Sequence, residues 1–155
     1  MDGGALQPVD AVEVTVLVDN FVDILLPGGE VAARPAIDFG MFERDREKLL
    51  AEHGLSLLLA VEREGARATV LYDAGLGAGT AVHNMDVLQV GLADLRAVVL
   101  SHGHSDHHGG LEGMMRRAGA RGMPLVIHPD AWRDRRVVFP TGAEVHPKRT
   151  GWQHF

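Results

Sequence analysis

Three observations predict an α/β fold. Ala97, Val98, Val99 and Leu100 form a short apolar run of the kind buried on both faces of a sheet, and it leads through a polar loop into a helix. That helix is amphipathic, with Leu111, Met114, Met115 and Ala118 spaced i, i+3, i+4, i+7. Upstream, the apolar runs at residues 55–61 and 68–72 flank the turn Glu64-Gly65-Ala66 and predict a hairpin. A chain of 155 residues falls in the range of one domain, here residues 1–155.

Taken in order, the Gly-rich start to residue 10 reads as a loose end. In residues 12–18 Val12, Val14, Val16 and Val18 alternate with Glu13, Thr15 and Leu17, a first strand with one buried face. Pro27-Gly28-Gly29 and Pro35 make residues 20–39 an irregular loop. Residues 42–52, rich in Glu, Arg, Lys and Leu, predict a surface helix ended by Gly54. After the hairpin come helical turns at 80–85 and 92–95, then the apolar strand, its loop and the amphipathic helix, with Arg116-Arg117 at its end, where positive charge suits the helix dipole. Residues 124–127 are a further strand, 128–132 open a helical turn, and 137–139 are a last short strand. Beyond Thr141 the pattern weakens.

Composition bounds the function. With 46% apolar and 23% charged residues the chain is globular rather than disordered. It has no cysteine, so disulfides and thiolate sites are excluded and any metal must rest on His, Asp or Glu. No apolar run approaches the roughly 20 residues that span a bilayer. The first residues lack the basic start and apolar core of a signal peptide, so the expectation is a cytoplasmic protein without a membrane partner. The net charge of −6 argues against nucleic acid. Residues 101–155 nevertheless carry 8 basic and 5 acidic side chains, against 7 and 16 before them. That local excess suits an anionic substrate, or simply a solvated face.

The chemistry concentrates in the loop Ser101-His102-Gly103-His104-Ser105-Asp106-His107-His108-Gly109-Gly110. Imidazole and carboxylate are the usual ligands of Zn²⁺ and similar cations. Along an extended loop, His102 and His104 point to one side and suit one ion, while Asp106 and His107 fall beyond a bend and suit a second. Gly103 suits a tight turn, and Gly109-Gly110 suit positive φ ahead of the helix. The plain alternative is a solvated His-rich tract, disfavoured by the flanking buried strand and helix. The glycines at 75, 77 and 79 do not make a phosphate loop, which needs GxxxxGK and a hydroxyl.

The array His102-x-His104-x-Asp106-His107 resembles the HxHxDH signature of the metallo-β-lactamase superfamily. Residues 14–20, His53-Gly54-Leu55-Ser56, Leu71-Tyr72-Asp73-Ala74-Gly75 and Ser101-His102-Gly103-His104 are similar to its branch of dihydropterin-ribofuranosylaminobenzene phosphate synthases. The resemblance implies a metallo-β-lactamase-like αβ/βα sandwich, of which this chain holds the first half plus part of the second, incomplete at the C-terminus. It implies a hydrolase in which a metal-bound hydroxide attacks an ester, lactone or phosphoester. Two divalent ions, Zn²⁺ with Mn²⁺ or Fe²⁺ as alternatives, would be held by His102, His104, Asp106 and His107, with Asp106 also catalytic in proton transfer. Asp73 would orient the loop through hydrogen bonds, its plain alternative being a turn cap.

The superfamily completes its site with a further His, a bridging Asp and a final His. His128, His53, His108, His146 and His154 are the remaining candidates, His53 and His128 for a contact around the site or with substrate. A missing C-terminal segment or a homodimer is expected to supply the rest, since a bare half exposes an apolar sheet face. The substrate is expected to be a small, anionic or phosphorylated molecule, with Arg133, Arg135 or Arg136 as its partners. The contrasting expectation is a non-catalytic metal-binding or assembly module.

Overall fold

A computed structural model describes residues 6–23, 26–33, 47–119 and 122–145. Its frame is a five-stranded sheet in chain order, β1 (Ala11–Val18), β2 (Ser56–Arg63), β3 (Ala66–Tyr72), β4 (Leu95–Leu100) and β5 (Leu125–Ile127). The first three strands are antiparallel. The turn between β2 and β3 has Glu64 and Gly65 both at positive φ, 51° and 78°, the geometry whose twist suits a two-residue hairpin. From β3 to β5 the pairing is parallel, which requires crossovers. Helix α1 (Thr80–Leu88) makes the first; α2 (Ser105–His108), a single turn, and α3 (Leu111–Ala118) make the second. A small hairpin of β6 (Val137–Val138) and β7 (Glu144–Val145) stands apart from the sheet.

Both long helices pack on one face. Leu17, Leu58, Leu71, Leu95 and Val98 point to that face from the strands and meet Ala81 and Met85 of α1 and Leu111 and Met114 of α3. Leu71, Met85 and Met114 are fully buried. The opposite face carries Val12, Val14, Val16 and Val126, each more than half exposed, beside the half-buried Leu57, Leu59, Val61, Val70, Tyr72 and Val99.

The mixed α/β class agrees with the sequence; several local expectations do not. The valines of β1 were expected to face the core, but Val12, Val14 and Val16 lie on the bare face. An irregularity between Val16 and Val18 then turns both Leu17 and Val18 inward. Of the helix expected at 42–52, residues 42–46 lie outside the described set, and 47–52 are not helical. Long-range bonds hold that stretch instead: Leu50 N donates to Asn84 Oδ1 at 2.9 Å and Glu52 N to Asp19 O at 3.2 Å. Residues 92–94 form a turn ahead of β4, closed by Leu95 N on Leu92 O. Strand β7, unmarked by any pattern, forms because Val137 and Val138 find partners there. His146 and His154 lie outside the described residues.

Candidate metal centre

The candidate loop starts where β4 ends, at the carboxyl rim of the parallel strands, the usual place for a site in an open α/β sheet. Its anchor is Asp73, just beyond β3. This residue is fully buried and sits in the left-handed region, φ 57°, a conformation that Asp tolerates better than most residues. Its backbone N donates to Val99 O at 2.9 Å, tying it to β4. Its Oδ1 accepts from Ser101 N at 2.8 Å, and its Oδ2 from Ser101 Oγ and His107 Nδ1, both at 2.7 Å. One carboxylate therefore grips both ends of the loop.

These bonds fix the histidine tautomers. Because Ser101 Oγ spends its proton on Asp73, it accepts from His102 Nδ1, 2.8 Å away. His107 likewise spends its Nδ1 proton on Asp73. With Nδ1 committed to these bonds, Nε2 is the nitrogen each ring has left to offer a cation, and a carboxylate behind a ring is what orients a metal-binding histidine. Burial lowers the pKa of His102, and the neighbouring His107 and His104 lower it further, so the neutral ring is favoured. Burial also lowers that of His108.

The four expected ligands are neighbours. The His102 ring centroid is 4.1 Å from that of His107 and 4.5 Å from that of His104, while His107 Nε2 is 3.5 Å from Asp106 Oδ2. The donor chemistry fits a divalent cation. Among the described residues, however, no three His, Asp or Glu side chains are arranged to hold a single ion. Asp106 and His107 stand on the turn of α2 rather than on an extended loop.

Backbone contact, more than backbone freedom, explains the glycines. Gly109 and Gly110 have φ of −60° and −77°, not the positive values expected. A Cβ on Gly109 would collide with Leu76 O, and one on Gly110 with Ala74 O. Gly103 is likewise pressed against Ala131 O, beside Arg135, whose Nη1 donates to Gly103 O at 3.0 Å.

His53, exposed, has its Nε2 3.3 Å from Asp106 Oδ2 and so reaches the site. His128 spends its Nδ1 on Asp130 N at 3.2 Å, capping the 3₁₀ turn Pro129–Trp132. The arginines expected to meet an anion already have partners: Arg133 pairs with Asp130, Arg136 with Glu144, and Arg135 donates to backbone carbonyls. Sequence reasoning quoted Ser101 only within a motif and named Arg135 only as a substrate partner, and it did not single out Glu52. Only for Ser101 was there a local signal, a hydroxyl placed directly between a buried strand and the first ligand.

The profile described as the metallo-beta-lactamase superfamily matches residues 51–153. A 7,8-dihydropterin-6-methyl-4-(beta-D-ribofuranosyl)-aminobenzene-5'-phosphate synthase of Methanocaldococcus jannaschii is 34% identical over 94 residues, which is 61% of this chain and 31% of that protein. The chain thus spans about a third of the length of that curated relative. Among solved structures, a HARLDQ-motif mutant of a Cronobacter sakazakii metallo-beta-lactamase matches at 33% identity and TM-score 0.37, over 47% of this chain and 28% of that one. The Rm3 metallo-beta-lactamase matches at 30% identity and TM-score 0.39, over 54% and 29%.

Proposed function

The chain belongs to the metallo-beta-lactamase superfamily, and on that premise we propose that it is part of a metal-dependent hydrolase acting on an ester, lactone or phosphoester. The observation that carries this reading is the bonding of Asp73, which engages Ser101 and the Nδ1 of His107, with Ser101 in turn on the Nδ1 of His102, and so leaves the Nε2 of each ring as the atom available to an ion. His102 and His104 would hold one divalent ion, Asp106 and His107 a second. Zn²⁺ is the first choice for this donor set and Mn²⁺ or Fe²⁺ the alternatives. Bound there, such ions would supply Lewis-acid chemistry, a more acidic water and a polarised scissile group. In this reading Asp106 would also take part in proton transfer, and His53, 3.3 Å from it, would meet the substrate.

With two donors per ion among these four residues, each ion would need further ligands to complete its site. The curated relative is named as synthase of a 5'-phosphate, which favours a small phosphorylated substrate. No helix among the described residues is long and apolar enough to cross a membrane.

The test is metal content. A loaded preparation should hold about two ions per polypeptide and cleave a generic phosphodiester or lactone. His104→Ala should lower both; turnover unchanged in that variant would falsify the proposal. One observation favours a second reading, a metal-binding or assembly module without catalysis: no three-ligand set closes among the described residues. Weak uptake of a single ion, with no turnover, would decide for it.

A further inference from the structure

Glu52 stands on no recognised motif, yet its carboxylate is bonded at both oxygens near the site. Its Oε1 accepts from Leu76 N at 2.8 Å and Gly77 N at 3.0 Å, and its Oε2 from Thr80 Oγ1 at 2.7 Å. Helix α1 starts at Thr80 with Gly79 at its N-cap, so it has no side-chain cap of its own and no acidic residue in its first turn. A carboxylate from a distant segment sits where the helix dipole and the loop amides favour negative charge. Two glycines make room for it. A Cβ on Gly75 would lie 2.7 Å from Glu52 Oε1, and one on Gly77 2.8 Å from Oε2.

The stretch that follows Glu52 lies against the ligand-bearing turn. His53 Nε2 lies 3.3 Å from Asp106 Oδ2, and Leu55 N donates to Asp106 O at 3.4 Å. Gly54 lies between them at φ 140°, where a Cβ would collide with Asp106 O, so the strand-entry backbone is laid directly on the ligand-bearing turn. Gly54 N donates to Asn20 Oδ1 and Gly75 N to Leu55 O, both at 2.9 Å, which closes the stretch against the end of β1 and against the glycine loop.

We infer that Glu52 is a positioning residue for the metal centre: seated on Leu76 N, Gly77 N and Thr80 Oγ1, it holds the His53–Leu55 backbone against Asp106 and so sets where that carboxylate stands. The inference rests on the functional reading above and adds a residue to it. A role in stability alone would lower the melting temperature without touching the ion held by Asp106 and His107.

Co²⁺ titration of the full chain, followed by calorimetry and by the visible ligand-field bands, separates these cases. Glu52→Ala should weaken the ion on Asp106 and His107 by about tenfold or more, the usual effect of removing a group behind a ligand, and shift its band. The ion on His102 and His104 should stay within about twofold, since Asp73 and Ser101 still orient His102. Glu52→Gln keeps an acceptor oxygen for both amides and should recover most of the loss. Should Glu52→Ala fold poorly, Thr80→Val, which removes one contact, should show the same selective weakening in smaller measure. If the wild-type protein takes up both ions and neither Glu52→Ala nor Thr80→Val weakens the Asp106 ion beyond twofold, the inference is overturned and the metal centre stands. If the wild-type protein takes up no Co²⁺, the metal centre itself falls, and the inference with it.

Discussion

The two faces of the central sheet are built from nearly the same residues and meet opposite surroundings. On β2, Leu58 faces α1 and α3 and is buried; Leu57 and Leu59, one step away, face the side without helices. On β1 the outward face is the more apolar one, with Val12, Val14 and Val16, whereas the inward face includes Glu13 and Thr15 before it reaches Leu17. Apolar residues on both faces are the mark of a sheet meant to lie between two layers. The described residues supply one of those layers.

The comparison is broken most sharply from the helix-covered side. Leu71→Ala removes a fully buried side chain between β2 and β4, and should cost about 2–5 kcal/mol in a denaturant melt. An effect below about 1 kcal/mol would mean that this face is not the core. At the carboxyl rim, Asp73→Asn should cost about 10–100-fold in metal affinity, because an amide cannot accept from Ser101 and His107 at the same oxygen as strongly as a carboxylate. Calorimetric titration with Zn²⁺ measures it.

Smallest is the bare face. In the chain as described, Val14→Thr should change stability by no more than about 0.5 kcal/mol, the usual range for an exposed position. A loss well above that, or failure of a hydrophobic dye to bind wild-type protein, would show that the face is covered in solution.

The contrast also explains how far the sequence could be read. The passage from β4 through the ligand loop into α3 was legible because its signals are local, an apolar run, ligands at short spacing and a helical repeat, although the helical turn α2 inside that loop was not. Asp73 was recognised by its place at the end of a strand, though its grip on Ser101 was not. The facing of β1 was misread because alternation tells which residues share a side, not which side is covered, and the irregularity near Leu17 shifts the phase. Residues 47–52 were misread because a charge-rich, Leu-containing stretch has high helix propensity, whereas its partners Asp19, Asn84 and Thr80 are distant in sequence. Glu52 offered no local signal at all.

The order of the strands carries a consequence for how the chain reaches this shape. Strands β2 and β3 meet across a two-residue turn, so their zipping demands almost no search, while β1 can join β2 only after the ends of residues 19–55 are brought together. The first strand is therefore expected to dock onto a preformed hairpin, and Leu17, Asp19 and Asn20, which bond to Asn84, Glu52 and Gly54, to arrive with it. Assembly of the ligand-bearing rim is thereby coupled to the strand pairing that spans the longest connection in the sheet.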